Sequence, residues 1–253
     1  MTARKSSQKE LGRAWAPSSD WKPLYQSRHY QDARGKTLPY RMMLPPGYNP
    51  RKKYPLVLLL HGVGERGDDN AAQLFHGAEQ FAAVRDQHPA FVVVPQCPAG
   101  QQWVAVSWGA AAHSQPSEPS EPMRLTLELL QSLRKEFSID ARRLYITGLS
   151  MGGYGAWDAV ARHPDLFAAA VPICGGGDEA AAPAIAKLPI WAFHGLADDA
   201  VPVERSRSMI AAIKKAGGAP KYTEYPGVGH NSWTPAYQDG EMMNWLFSQK
   251  RPG

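Results

Sequence analysis

The strongest chemical signal in the 253-residue sequence is a serine placed between glycines. Ser150 lies in ITGLSMGGYGAW, residues 146–157, with Gly148 two positions before it and Gly152 two positions after it. An apolar, strand-like run precedes the serine and a helix-like run follows it, which is the setting of a nucleophilic serine on a sharp turn. Glycine suits both flanking positions because a Cβ atom there would crowd the neighbouring strand or helix. Ser150 is therefore a candidate nucleophile, and the alternative is a serine that only caps the helix.

A serine hydroxyl is a weak nucleophile and needs a general base. Among the eight histidines, His230 has the most suitable position, in PGVGHNSW, a glycine-bracketed loop between the last strand-like run and the last helix-like run. His61 and His194 each end an apolar run just before a glycine, which favours buried histidines with structural hydrogen bonds. We therefore expect His230 to be the base.

The acid that orients the base is expected between the serine and the histidine along the chain. FHGLADDAVP follows the next-to-last strand-like run, and its two acids are Asp198 and Asp199. Serine, aspartate and histidine in this order form one of the known arrangements of a catalytic triad. All the candidates follow the carboxyl ends of predicted parallel strands, where sites form in open α/β sheets. The residues themselves leave both aspartates open as the third member.

Acyl transfer through this serine would also need two backbone N–H groups to bind the oxyanion. One is the N–H of Met151, the residue after the serine. The glycine-rich loop LHGVGERGDDN, residues 60–70, offers the N–H of Val63 as the second. We expect Glu65 and Arg66 to pair and brace this loop. The loop lacks the Lys-Ser/Thr ending of a P-loop, which makes a phosphate cradle the weaker interpretation.

The elements that must position these groups alternate along the chain. Apolar runs predict strands covered on both faces, at residues 56–62, 91–97, 143–150, 168–176, 189–195 and 221–227. Helical patterns lie at residues 71–85, 123–137, 151–162, 203–216 and 241–250. This alternation predicts an α/β fold with a mostly parallel central sheet and helices on both faces. Residues 25–45 predict an amino-terminal antiparallel hairpin, and QPSEPSEP, residues 115–122, predicts a surface loop.

Length and charge indicate one domain with a basic arm. A chain of 253 residues with 43% hydrophobic and 20% charged residues fits a single α/β domain. We expect an arm at residues 1–22 and one catalytic domain at residues 23–253. The first 36 residues supply the whole net charge of +5. Without aromatic or helical patterning, a solvated tail is favoured over a segment that binds nucleic acid or membrane, and we expect neither partner.

Two further features bear on the compartment. No apolar run reaches the roughly 18 residues of a membrane-spanning helix, and the first 22 residues lack the apolar core of a secretion signal. As written, the sequence predicts a cytoplasmic protein, with secretion or a periplasmic location as the alternative if a leader was removed. Cys97 and Cys174 say little about the compartment, and we expect them to be free thiols.

Six motifs together resemble one enzyme family. They are LHGVGERGDDN, PQCP, YITGLSMGGYGAW, PICGGG, WAFHGLADDAVP and YTEYPGVGHNSW, and the resemblance covers roughly residues 38–249. As a set they resemble the α/β-hydrolase superfamily. Within it they are similar to lidless carboxylesterases of the phospholipase/carboxylesterase and dienelactone-hydrolase-like group, which includes predicted peptidases and has acetyl-xylan and feruloyl esterases among its relatives. Dienelactone hydrolases themselves carry a cysteine nucleophile, and the serine here argues against that activity.

The resemblance implies a serine carboxylic-ester hydrolase that works through an acyl-enzyme and needs no metal or organic cofactor. It implies a triad of Ser150, Asp198 and His230, with Val63 and Met151 as oxyanion donors. It also implies a strand order with two strands between Cys97 and Cys174, so that about 14 Å would separate them, too far for a disulfide.

The resemblance also bears on the substrate. Only GGGDEAAAPAIAKL, residues 175–188, separates the two strands between which relatives carry a lid, so we expect an open site without a lid domain. Short-chain or aryl esters follow, as small molecules or linked to polysaccharide in the manner of feruloyl or acetyl-xylan esters. Trp233, Trp103 and Trp108 are candidate cleft walls, although the last two could instead pack a loop. A serine peptidase or amidase and a polyester depolymerase are the alternative functions.

Overall fold

The fold is built around one eight-stranded sheet in a computed structural model that describes residues 20–252. Its strands are β1 (Tyr25–Gln31), β2 (Thr37–Met43), β3 (Tyr54–Leu60), β4 (Phe91–Pro95), β5 (Ile139–Leu149), β6 (Ala169–Ile173), β7 (Trp191–Gly195) and β8 (Lys221–Tyr225). They lie in the order β1-β2-β4-β3-β5-β6-β7-β8. The β1–β2 hairpin pairs antiparallel with β4, and every pairing from β4 to β8 is parallel. The predicted sheet and hairpin are confirmed.

Each face of the sheet carries its own apolar core because strand side chains alternate between the faces. In β3, Leu56, Leu58 and Leu60 join one core, whereas Val57 and Leu59 join the other. The first core is covered by α2 (Glu121–Glu136), α3 (Met151–Arg162), α4 (Ala182–Ile185) and α5 (Glu204–Lys215). The second is covered by α1 (Ala78–Ala83), α6 (Trp233–Gln238) and α7 (Gly240–Ser248). This burial on both faces explains why the strands read as continuous apolar runs.

Close packing at the carboxyl end of β3 fixes the start of α3. A Cβ atom on Gly152 would overlap the carbonyl oxygen of Leu60, and one on Gly148 would overlap the carbonyl oxygen of Gly152. Both glycines are therefore required by the approach of helix to strand. Because β3, β5, β7 and β8 run parallel, the loops that follow them lie at the same edge of the sheet.

Two predicted elements differ from the observed ones. The helix expected at residues 71–85 is divided into a 3-10 turn, Ala72–Leu74, and α1, because Gly77 between them adopts a positive φ of 82°. The strand expected at residues 168–176 ends at Ile173, where Cys174 takes a positive φ of 40°. Sequence patterning also missed α4 and α6, which have only four and six residues.

The structure tests only part of the predicted arm. Residues 1–19 lie outside the described residues, but Trp21 packs edge-on against Tyr25, with 6.0 Å between ring centroids. The division into an arm at residues 1–22 and a catalytic domain at residues 23–253 stays a prediction. The two cysteines are free and buried, as predicted, and follow β4 and β6, with β3 and β5 between these strands. No helix within residues 20–252 is long and apolar enough to cross a membrane.

Candidate active site

Ser150 occupies a strained turn between β5 and α3. Its φ of 54° and ψ of −119° are unusual for a residue with a side chain, and such strain is characteristic of functional positions. The Ser150 N–H donates to the carbonyl oxygen of Ile173 at 2.9 Å, which ties the turn to the end of β6. The first turn of α3 follows directly, so its unpaired N–H groups and the positive end of its dipole face the serine.

A continuous chain of hydrogen bonds joins the three candidate triad residues. His230 Nε2 lies 2.8 Å from Ser150 Oγ, and His230 Nδ1 lies 2.8 Å from Asp198 Oδ2. The two loops involved are also joined by their backbones, because the Ala197 N–H donates to the carbonyl oxygen of Val228 at 2.9 Å. The structure thus brings together three residues that are 80 and 32 positions apart along the chain.

The Asp198 carboxylate is completely buried and fully bonded. Its Oδ1 accepts from the N–H groups of Ala200 and Val201, both at 2.9 Å, and its Oδ2 lies 3.2 Å from His194 Nε2. Burial alone would raise the pKa of this carboxyl. The hydrogen bonds from His194, His230 and the Val201 N–H outweigh burial and hold the pKa well below its usual range, so Asp198 is ionised. The neighbouring Asp199 is exposed.

The candidate oxyanion donors are the N–H groups of Val63, which begins a 3-10 turn after β3, and Met151, which begins α3. Within residues 20–252, neither the Val63 N–H nor the Met151 N–H donates to a protein acceptor. A Cβ atom on Gly62 would lie 2.9 Å from Leu149 Cδ1, so the loop that carries Val63 packs directly against the residue before the serine. The roles of Val63 and Met151 as oxyanion donors stay predictions.

The expected pairing of Glu65 with Arg66 is wrong. The Arg66 guanidinium donates to the carbonyl oxygens of Val63 at 3.1 Å and Gln101 at 3.0 Å. Glu65 instead lies 3.8 Å from His76. The oxyanion loop is braced by Arg66 contacts with backbone, and Glu65 connects it to the segment around His76.

Comparison with known families agrees with this geometry. A family model described as "Putative esterase" matches residues 32–175, and one described as "Dienelactone hydrolase family" matches residues 112–241. The first match alone covers more than half of the chain. The chain belongs to the esterase family. It is a carboxylic ester hydrolase with the α/β-hydrolase fold.

Relatives of this esterase carry several related activities. It is 26% identical over 192 residues to a probable carboxylesterase of Oryza sativa subsp. japonica, covering 70% of this chain and 81% of the relative. It is 24% identical to a bifunctional acetylxylan esterase/xylanase of Neocallimastix patriciarum, covering 68% of this chain and 24% of that protein. It is 32% identical to poly(3-hydroxyalkanoate) depolymerase C of Paucimonas lemoignei, covering 48% of this chain and 28% of the depolymerase. It therefore spans only about a quarter of the last two proteins.

A solved structure supports the same assignment. The crystal structure of a thermostable esterase superposes with a TM-score of 0.85 at 42% identity. The match covers 91% of this chain and 64% of that one. The crystallised esterase is thus longer than the part to which this chain corresponds.

The three tryptophans of the esterase have different surroundings. Trp103 is fully buried, and its indole N–H donates to the carbonyl oxygen of His61 at 3.0 Å, so it is a core residue and does not form a cleft wall. Trp108 is half-buried against Val104, Tyr154 and Val201, and its part in substrate binding stays a prediction. Trp233 lies edge-on to His230, with 5.4 Å between ring centroids.

Trp233 begins a row of aromatic side chains that sequence reasoning did not detect. The His76 ring lies 5.2 Å from Trp233, and the Phe75 ring lies 4.8 Å from His76. We call Phe75, His76 and Trp233 the aromatic strip. Phe75 is 75% exposed, and the strip borders a cavity of about 50 Å³. The sequence did not reveal the strip because Phe75 and His76 fall within a predicted amphipathic helix, where an aromatic residue is expected to belong to the core.

The two histidines expected to be structural are both buried. His61 Nδ1 lies 2.6 Å from the carbonyl oxygen of Gly62, and His61 Nε2 accepts from the Cys97 N–H at 2.9 Å. Burial, aided by the charge of Arg66, lowers the pKa of His61 to about 4 despite the bond to Gly62. His194 lies at the carboxyl end of β7, against the triad aspartate.

One group of metal-ligating side chains occurs within residues 20–252. Ligand atoms of Cys174, Asp198 and His230 all lie within 4.8 Å of one another. Burial raises the pKa of the Cys174 thiol to about 12, so a thiolate ligand is disfavoured at neutral pH. Because a metal here would also take the carboxylate away from His230, the cluster fits a triad better than a metal centre.

Proposed function

We propose that this protein is a serine esterase that hydrolyses short-chain or aryl esters through a covalent acyl-enzyme. The observation that carries the proposal is the bonded series from Asp198 through His230 to Ser150, on a turn flanked by two free N–H groups. Each member has the position that its role requires: nucleophile, base and orienting acid.

The first half of the reaction forms the acyl-enzyme. Ser150 Oγ attacks the ester carbonyl carbon while His230 Nε2 takes the hydroxyl proton. The carbonyl oxygen becomes an oxyanion, which the N–H groups of Val63 and Met151 bind. As the tetrahedral intermediate collapses, the bond to the alcohol oxygen breaks and His230 returns the proton to that oxygen. Asp198 stabilises the imidazolium while it exists.

Water completes the cycle in the reverse sense. It attacks the acyl carbon, gives a proton to His230, and releases the carboxylic acid as Ser150 recovers its proton. The same N–H groups bind the second oxyanion. Every step uses side chains and backbone groups of this chain, with no demand for a cofactor.

The surroundings of the triad favour esters that carry a ring. The three large apolar side chains exposed within residues 20–252 are Val63, Phe75 and Leu196. Val63 belongs to the oxyanion loop, Leu196 precedes the Asp198 turn, and Phe75 ends the aromatic strip. Aromatic faces bind aryl groups and sugar rings through stacking, which suits feruloyl or acetyl-xylan esters. Between β6 and β7 the chain forms only a 3-10 turn and α4, leaving the site without a lid there.

The test is hydrolysis of p-nitrophenyl esters of increasing acyl length, with methyl ferulate and acetylated xylan beside them. We expect turnover of short acyl chains that is lost in Ser150→Ala, and a mass increase of one acyl group on Ser150 when deacylation is slow. Folded protein without turnover of any ester would contradict the proposal. Turnover unchanged in Ser150→Ala would contradict the serine mechanism.

A matched pair of variants tests the aromatic strip. Phe75→Ala should raise KM for methyl ferulate by about 3- to 10-fold, the loss of one aromatic contact, and leave KM for p-nitrophenyl acetate unchanged. Leu196→Ala removes another exposed apolar side chain outside the strip and serves as the control. Equal effects of the two variants on both substrates would rule out a specific role for the strip.

Polyester is the second candidate substrate, favoured by the relation to the poly(3-hydroxyalkanoate) depolymerase. The exposed strip would then contact a polymer surface. Release of hydroxyacids from a poly(3-hydroxybutyrate) suspension, compared with release of ferulate, separates the two. A peptidase or amidase is tested with p-nitroanilides matched to the esters that are turned over.

A further inference from the structure

We propose that His194 is a positioning residue of the triad: its Nε2–H holds the Asp198 carboxylate in the orientation that His230 requires. The proposal rests on the proposed serine mechanism. His194 is fully buried at the carboxyl end of β7, four residues before Asp198. The triad carboxylate thus lies between two imidazoles, and only one of them contacts the nucleophile.

The contacts of His194 determine where its proton lies. Nε2 lies 3.0 Å from the carbonyl oxygen of Val201 and 3.2 Å from Asp198 Oδ2. A carbonyl oxygen and an ionised carboxylate only accept hydrogen bonds, so Nε2 must carry a proton and donate. If Nε2 carried no proton, its lone pair would face the lone pairs of the Val201 carbonyl oxygen and of Asp198 Oδ2 in a buried site.

The other ring nitrogen fixes the orientation of the imidazole. Nδ1 lies 2.7 Å from Ser206 Oγ, and this hydroxyl donates to the carbonyl oxygen of Gly175 at 3.1 Å. The ring is therefore held at both nitrogens, and Nε2 faces Asp198 as a hydrogen-bond donor.

The role follows from how the carboxylate is held. Oδ1 is fixed by two backbone N–H groups and also lies 3.0 Å from His230 Nδ1, whereas Oδ2 is held only by His194 and His230. Without His194, Oδ2 would depend on the histidine that it must orient. His194 takes no part in the proton transfer, so it can hold Oδ2 throughout the reaction. Its N–H also stabilises part of the negative charge on the Asp198 carboxylate, which lowers the charge that acts on His230.

The other titratable groups near this pair come from four elements. They are Cys174 after β6, Tyr154 on α3, and the ion pair between Glu224 on β8 and Arg207 on α5. Burial raises the pKa values of the Cys174 thiol and the Tyr154 hydroxyl. Glu224 is neutralised by two bonds from the Arg207 guanidinium, at 2.6 and 2.8 Å. A shift in the pH profile on changing His194 would therefore report on Asp198 and His230.

The first experiment reads the tautomer directly by nitrogen NMR of ¹⁵N-histidine-labelled protein. We expect His194 Nε2 to carry a proton at pH 7. A proton on Nδ1 alone would overturn the proposal. This measurement does not depend on turnover, so it stands even if the serine mechanism fails.

The second experiment compares two replacements by kinetics. His194→Gln can place an N–H near the position of Nε2, whereas His194→Leu fills the volume without a donor. We expect kcat to fall about 10- to 100-fold in the leucine variant with KM nearly unchanged, the range seen when a group that orients a metal-binding histidine is removed. The glutamine variant should retain most of the activity. The acid limb of kcat/KM should move to higher pH in the leucine variant, because the Asp198 carboxylate then directs more of its negative charge towards His230.

A control separates positioning from general stability. Tyr25→Phe removes another fully buried hydrogen bond, from the hydroxyl on the edge strand β1 to the carbonyl oxygen of Ala78. It should lower Tm without moving kcat or the acid limb. If His194→Leu proves insoluble, the glutamine variant and the NMR tautomer still decide the question. Equal kcat and an unmoved acid limb in all folded variants would show a purely structural role.

Discussion

Adjacent aspartates with opposite environments define the site at the scale of single residues. Asp198 is buried and accepts from two backbone N–H groups and two imidazoles, whereas Asp199 is exposed. The Asp198 side chain is therefore held in one orientation, whereas the Asp199 side chain is exposed to solvent. In the proposed mechanism, only Asp198 can keep His230 in the tautomer whose Nε2 accepts the serine proton.

Exchanging each aspartate for asparagine tests this difference. We expect Asp198→Asn to lower kcat by about 10⁴-fold, because an amide can stabilise the wrong histidine tautomer and cannot balance an imidazolium. Asp199→Asn removes the same charge one residue away and should change kcat less than about 2-fold. Steady-state kinetics on a p-nitrophenyl ester provides the comparison. Similar losses in both variants would mean that the net charge of the loop, and not the triad bond, is what matters.

Several of these residues were predictable because local sequence carries their signals. Ser150 and His230 were named from glycine spacing and loop position, while the choice of Asp198 over Asp199 needed the family pattern. The role of Trp103 was not predictable, since burial in the core or exposure in a cleft depends on how the loop around it packs. The part played by His194 was equally hidden, because its contact with Asp198 depends on the geometry of the turn after β7.

At the scale of elements, His61 joins the end of β3 to the loop after β4. Its neutral ring donates to the Gly62 carbonyl oxygen and accepts from the Cys97 N–H, and protonation of Nε2 would break the second bond. Its pKa falls from the usual 6.5 to about 4 on folding, so the unfolded chain binds the proton more tightly. Stability is therefore complete above pH 6.5 and declines as the pH falls towards 4.

The expected contribution of His61 is about 3 kcal/mol of unfolding free energy lost between pH 6.5 and pH 4. Urea unfolding at intervals across this range measures it. His61→Gln keeps a donor and an acceptor but does not titrate, so its stability should fall less steeply over the same interval. Parallel curves for the two proteins would assign the acid sensitivity to other groups.

The contact between β3 and α3 predicts a sharp difference between two glycines. Gly152→Ala would force a methyl group into the Leu60 carbonyl oxygen, and we expect loss of soluble, folded protein or a drop in Tm above about 10 °C. Gly109→Ala meets nothing within 4 Å and should leave Tm within about 2 °C. Thermal unfolding followed by circular dichroism tests the pair. A stable, active Gly152→Ala protein would contradict the close approach of helix and strand.

Strands and long helices were predictable, since their apolar periods persist over several residues. The segment at residues 71–85 was not, because the apolar pattern continues through Gly77 while the backbone turns there. Short α4 and α6 hold too few residues for a period to show. The positions of these elements depend on the backbone conformation of single residues, which the hydrophobic pattern does not show.

At the scale of the whole molecule, the described core and triad lie within residues 25–249. Residues 2–19 carry four basic side chains and one acidic side chain, and so three of the five net positive charges. We expect removal of residues 2–19 to leave kcat and Tm unchanged and to weaken retention on a heparin column at low salt. A loss of activity in the truncated protein would show that these residues support the catalytic domain.

The order of the strands marks the limit of what residues alone could predict. Alternating patterns indicate a parallel sheet with helices on both faces, but they do not state which strands are neighbours. That order came from resemblance to a family, and the placement of β4 outside β3 agrees with it. Nonlocal pairing depends on the packing of the entire chain, which no single segment encodes.

The glycine-locked start of α3 has a consequence for how this enzyme can diversify. The proposed nucleophile is held by backbone contacts that permit almost no replacement, whereas the Phe75 side chain of the aromatic strip is exposed. Substitutions at the exposed positions can therefore change which substrate binds without disturbing the turn that carries Ser150. Libraries that vary the exposed aromatic strip should contain many functional variants. Libraries that vary the turn at Ser150 should contain almost none.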